Sequence, residues 1–147
     1  MAEDQSRETG TVDTFLASNL ESVDDAENLV LKVAGEVGFQ EEDLHKISMA
    51  VRESVVNAVV HGNRYSSHKK VHLIVAGAKD RIEVTVRDQG NGFDLKSLPD
   101  PLAEENLLQQ SGRGILLIRA FVDEFQMRRM APAGTEVRLI KYLRHGA

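Results

Sequence analysis

The stretch ISMAVRESVVNAVVHGN, Ile47 to Asn63, decides the fold. At ~100° per residue, Ile47, Val51, Val55, Ala58 and Val59 fall on one side of a helix. Glu53, Asn57 and His61 stand four apart, so they stack on the other side. A carboxylate, an amide and an imidazole are thereby lined up one turn apart. Gly62 occupies the usual stop position of a helix, with Asn63 after it. Taken alone, the stripe also fits an ordinary solvated face. Asn is, however, a poor residue for a helix interior, where Ala or Lys would serve a solvated face better. The stripe has a use only if the rest of the chain brings something to it.

Before this helix, residues 1–10 read as a disordered tail and 11–147 as one domain. Thr11 to Ala17 is an imperfectly alternating edge strand with Val12, Phe15 and Ala17 as its apolar members. Ser18 to Ser22 supplies capping residues for a first helix, in which Val23, Ala26, Leu29, Val30, Val33 and Val37 recur at helical spacing. Gly38 ends it. Gln40 to Asp43 is an acidic start that favours the second helix, and the central stretch follows.

After it, Arg64 to Lys70 is a polar loop. Val71 to Ala76 and Ile82 to Val86 are β-branched runs joined by Gly77-Ala78-Lys79-Asp80, which predicts a hairpin. Residues 94–111 carry two prolines and a polar run, and are expected to be a mobile loop. Ile115 to about Val122 is an apolar helix. Glu124 to Met130 and Thr135 to Leu143 form a last hairpin. Five strands joined mostly by hairpins, with three helices, predict an α/β (α+β) two-layer sandwich: a mixed, largely antiparallel sheet covered by helices on one face.

Composition narrows the chemistry. The chain of 147 residues can bury a real core, and it lacks cysteine, which excludes disulfides and thiolate metal sites. A formal net charge of −5 argues against nucleic acid as a partner. The basic residues gather at Arg64 to Lys70 and at Arg128-Arg129, which read as solvated loop or edge charges, with contact to an acidic partner as the alternative. No apolar run is long enough to span a membrane, and the polar first ten residues lack a signal core, so a cytoplasmic protein is expected. The histidines show no zinc-ligand spacing, and neither a Walker loop nor the protein-kinase loops are present.

Two stretches carry chemistry. Asp88-Gln89-Gly90-Asn91-Gly92 follows a strand. It fits a plain Asx-type loop, or a nucleotide site in which the acceptor-only carboxylate meets the amino group of adenine and the glycines admit a flat ring. Gly112-Arg113-Gly114 opens an apolar helix. Its unpaired amides and dipole end suit a phosphate, and Arg113 can add a charge-assisted bond. The plainer alternative is a flexible loop before an uncapped helix start, or Ser111 as an ordinary N-cap.

Three elements now stand in a fixed order: Glu53-x-x-x-Asn57-x-x-x-His61, Asp88-x-Gly90-x-Gly92 and Gly112-x-Gly114, with Gly134-Thr135 on the final strand. Together they resemble the ATP-binding (Bergerat-type) fold of the GHKL superfamily, which includes histidine kinases, DNA gyrase and mismatch-repair proteins. Within it the chain looks most like the anti-sigma factor serine/threonine kinases of bacterial sporulation and stress response.

The resemblance spans roughly residues 11–143. It implies ATP and Mg²⁺ as cofactors, with Asn57 as the magnesium ligand and Glu53 as general base on a serine hydroxyl. His61 would lie toward the phosphates. Asp88, with Gly90 and Gly92 shaping its loop, would take the adenine amino group, helped by Thr135 through water. Gly112, Arg113 and Gly114 would hold phosphates, and residues 94–111 would be the nucleotide lid.

The partners implied are an anti-anti-sigma protein of STAS type and a sigma factor, and relatives form homodimers. Asn91 departs from the proline or isoleucine common at that place. Two alternatives to the kinase are a non-catalytic ATP-gated binding module and the catalytic lobe of a split two-component system.

Overall fold

The computed structural model describes residues 8–90 and 114–144. Alternation builds its sheet: in β2 (Lys70–Ala78) and β3 (Arg81–Arg87) every second side chain is buried. Val71, Leu73 and Val75 of β2 and Ile82, Val84 and Val86 of β3 form the floor of the core. Lys79-Asp80 makes the tight turn between them. β1 (Glu8–Ala17) pairs with β2 at one edge, beginning before the Thr11 expected from sequence. β4 (Glu124–Arg129) and β5 (Thr135–Tyr142) form the last hairpin, and β5 inserts beside β3. The order is β1-β2-β3-β5-β4. All four ladders are antiparallel, so the sheet is not mixed as expected.

The helices lie on one face. α1 (Glu21–Val37) presents Val23, Ala26, Val30, Val33, Ala34 and Val37 to the sheet. Asn19 Oδ1 accepts the Ser22 N–H at 3.1 Å and so caps its first turn. Gly38 closes it in the left-handed conformation, donating to the carbonyls of Ala34 and Gly35. α2 (Glu41–Val56) starts on Glu41, Glu42 and Asp43, whose charges complement the helix dipole. It buries Ile47, Ala50, Val51 and Val55. α3 (Gly114–Phe121) packs on α2 through Ile115 and Ile118, which are buried. Fully burying each such side chain contributes about 1.5–3 kcal/mol.

Arg52 fixes how α1 and α2 sit together, donating to Asp24 at 2.8 Å and to Glu27 at 2.9 Å. Ser48 Oγ also donates to Glu27. The other face of the sheet carries charges in place of helices. Arg128 donates twice to Glu136, holding that carboxyl below its usual range, and Arg138 donates to Glu83. Near β1 the same face exposes Phe15, stacked on His72 with centroids 4.3 Å apart. No helix among the described residues is long and apolar enough to cross a membrane.

Candidate functional site

The central helix does not run regularly to Asn63. After Val56 it passes into a π-helical segment, Asn57–Gly62. Here Asn63 N–H donates to Ala58 O at 2.8 Å, an i→i−5 bond. The apolar cluster Val55-Val56 and Ala58-Val59-Val60 is broader than one helical stripe, and the wider turn accommodates it. It also carries His61 out of the line that a regular α-helix would give it. Glu53, in the last turn of α2, and Asn57, the first π residue, are half-buried, while His61 is exposed. None of these three side chains makes a hydrogen bond or ion pair with another described residue.

Gly62 is not the left-handed stop expected from sequence. The left-handed residues are Arg64 (φ 52°) and Tyr65 (φ 60°), and Tyr65 N–H donates to Val59 O at 2.9 Å. Gly62 is instead a contact surface. A methyl group on it would overlap the Asp88 carboxylate, and one on Gly90 would overlap the Gly62 carbonyl. Two chain segments therefore cross at backbone distance, which only glycine permits.

Asp88 lies just past the end of β3 and is 6% exposed. Its Oδ1 accepts the Gly90 N–H at 3.0 Å and the Thr135 N–H at 3.2 Å. Its own N–H donates to Thr135 O at 3.0 Å, which ties the loop to the first residue of β5. Among the described residues Oδ2 has no hydrogen-bond partner. Burial pushes the Asp88 carboxyl above the usual carboxylate range. The Gly90 and Thr135 amides and the charges of Arg129 and Lys69 oppose that rise.

Arg129 is not the solvated edge charge expected from sequence. It faces Thr135 across the β4–β5 ladder, half-buried, and burial holds its guanidinium below the usual range against the attraction of Asp88.

The structure thus brings Asp88, Gly90 and Thr135 together against the end of the helix that carries Glu53 and Asn57. Gly114 begins α3, which packs beside that helix. Gly92, Gly112, Arg113 and the loop 94–111 lie outside the described residues, as do residues 1–7 of the expected tail. No cluster of three or more His, Asp or Glu among the described residues is placed to hold a metal. A lone amide oxygen at Asn57 suits an ion such as Mg²⁺, which keeps waters and takes further oxygens from phosphate.

Three residues that contact or belong to the Asp88 loop are missed by the sequence reading. Gly62 and Asn63 read only as a helix ending, and Gln89 only as a spacer. A buried amide just past a helix end is the signal, but burial is not visible in sequence.

Residues 16–141 match the family model described as the histidine kinase-like ATPase domain. The chain is 33% identical over 104 residues to the anti-sigma F factors of Oceanobacillus iheyensis and Bacillus thuringiensis. Each alignment covers 69% of this chain and 71% of the relative. Among solved structures, the RsbU and RsbW domains of Rv1364c from Mycobacterium tuberculosis align with a TM-score of 0.63 at 19% identity. That alignment covers 90% of this chain and 31% of the other, and at this identity it speaks for the fold alone. With residues 16–141 matching that model and a third of the aligned positions identical to the anti-sigma F factors, the chain belongs to the histidine kinase-like ATPase domain family, alongside the anti-sigma factors.

Proposed function

We propose that this protein is an ATP-dependent serine/threonine kinase that phosphorylates an anti-anti-sigma protein of STAS type and regulates a sigma factor by partner switching. The observation that carries the reading is Asp88: a buried carboxylate with one oxygen anchored by two backbone amides and the other without a partner among the described residues. That is an acceptor ready for an exocyclic amino group. The nine residue steps from Glu53 to Gly62 span about 13.5 Å at helical rise. A nucleotide with its base at Asp88 would therefore direct its phosphates toward Asn57 and Glu53.

In this reading Asn57 holds Mg²⁺ through its amide oxygen, and the ion, when bound, offsets phosphate charge. His61 lies on the phosphate side, Thr135 backs Asp88, and Gly112, Arg113 and Gly114 hold phosphate at the start of α3. Gly90 and Gly92 shape the base loop. Glu53 accepts the proton of the substrate hydroxyl as the hydroxyl oxygen forms a bond to the γ-phosphorus. The bond from that phosphorus to the ADP oxygen breaks, and ADP leaves with the electron pair. Two copies of the chain associate, a reading supported by the place of β1 at the outside of the sheet order among the described residues and by the exposed Phe15 on it. The protein works in the cytoplasm.

Incubation with Mg²⁺, radiolabelled ATP and candidate antagonist proteins tests the reading. The expected product is an acid-stable phosphoserine or phosphothreonine. Acid-labile label on a histidine would mark a two-component lobe instead. Tight ATP binding without transfer to any partner would mark a non-catalytic module.

The raised pKa of Asp88 makes a further prediction. Between the ordinary carboxylate range and the raised value, the unfolded chain binds fewer protons than the folded one. The Asp88 contribution to stability therefore falls as pH rises through that window and is level above it. Adenine recognition runs the other way, because it needs the ionised acceptor. Calorimetric titration is expected to show ATP affinity dropping on acidification at a pH above about 3.9, the value for a free aspartate. Asp88→Asn should lack that step.

A further inference from the structure

Asn63 is 1% exposed, and its carboxamide is the hub of a polar cluster at the end of the central helix. Its Nδ2 donates to Ser18 Oγ at 2.9 Å and to Lys70 O at 3.1 Å. Its Oδ1 accepts the Gln89 N–H at 2.7 Å. The partners fix the amide orientation without ambiguity, since Gln89 N–H can only donate and Lys70 O can only accept. The Ser18 hydroxyl donates to Lys69 O, and Gln89 Oε1 accepts the Lys70 N–H. The backbone N–H of Asn63 closes the π-turn on Ala58 O. One residue therefore joins the turn bearing His61 and Gly62 to the peptide between Asp88 and Gly90.

We propose that Asn63 is the positioning residue of the base-recognition loop: through the Gln89 amide it fixes the direction of the Asp88 carboxylate and the seat of Gly90 against Gly62. The proposal rests on the reading of Asp88 as the adenine acceptor. The physical reason is leverage within the loop. Asp88 Oδ1 is already held by the Gly90 and Thr135 amides, so the peptide joining Asp88 to Gln89 sets where Oδ2 points. Without the Asn63 oxygen, Gln89 N–H must find another acceptor, and the loop is free to turn. The Ser18 and Lys70 contacts are the other arm, which holds Asn63 itself to the sheet.

The two arms make different predictions. The readout is the ratio of ATP affinity to inorganic tripolyphosphate affinity, measured by calorimetry with Mg²⁺, alongside thermal melting. Asn63→Ala is expected to weaken ATP binding by about tenfold or more while leaving tripolyphosphate affinity unchanged, because the base end alone is disordered. Ser18→Ala is expected to lower the melting temperature yet keep the wild-type ratio. Asn63→Asp retains an oxygen for Gln89 N–H and is expected to restore the ratio to within about threefold of wild type.

A wild-type ratio in Asn63→Ala, or equal losses for both ligands there and in Ser18→Ala, would overturn the proposal and leave the nucleotide reading standing. If Asn63→Ala does not fold, the Asn63→Asp ratio decides in the same way: a restored ratio supports, a collapsed one overturns. If the wild-type protein binds ATP no better than tripolyphosphate, the adenine reading itself fails, and this inference with it.

Discussion

Glu53→Gln is expected to cut phosphoryl transfer to the partner by about 10²–10⁴-fold, the usual contribution of a positioned general base. Gln has the same shape and one fewer charge. Glu53 makes no hydrogen bond or ion pair with another described residue, so its loss strands no partner, and stability should change by less than about 0.5 kcal/mol. ATP affinity should stay close to that of wild type, because the proton moves only during transfer. Single-turnover transfer measured beside calorimetric ATP binding separates the two quantities. Undiminished transfer by Glu53→Gln would end its assignment as base. Lost binding would move Glu53 from the chemical step to the nucleotide site.

At Asp88 the expected losses are smaller in fold terms and divide between affinity and stability in two substitutions. Asp88→Asn keeps an Oδ1 that can accept the Gly90 and Thr135 amides, so the fold should hold. Its new NH₂ would turn a donor toward the adenine amino group. Losing one charge-assisted bond costs about 1.5–3 kcal/mol, or roughly 10- to 150-fold in ATP affinity. Asp88→Ala leaves both buried amides unsatisfied, at about 1–3 kcal/mol each, and should be destabilised by about 2–6 kcal/mol. Urea unfolding and ATP titration of both variants give the comparison. Wild-type ATP affinity in Asp88→Asn would exclude this carboxylate as the base acceptor.

The parts legible in sequence were those that depend on periodicity. Alternation in Val71 to Ala76 and Ile82 to Val86 predicts the hairpin that the structure has, and the spacing of Val23 to Val37 predicts α1. The chain order of the Glu53–Asn57–His61, Asp88 and Gly114 stretches was enough to point to the family that residues 16–141 match. Two readings failed because local rules were applied to positions governed by remote contacts. Gly62 follows the pattern of a helix stop, yet it is glycine because the Asp88 carboxylate fills the space a Cβ there would take. Arg129 sits beside Arg128 in sequence, but strand alternation sends Arg128 to Glu136 on the open face and Arg129 toward Asp88.

By itself the sequence determined the elements, their order and the residue types available for chemistry, because helix and strand periods are local properties of the backbone. Only the tertiary structure decided which of those residues meet. The π-turn, the Gly62–Gly90 crossing and the buried amide of Asn63 depend on segments distant in sequence touching at backbone distance. The close packing of the folded interior fixes such contacts, and no local pattern encodes them.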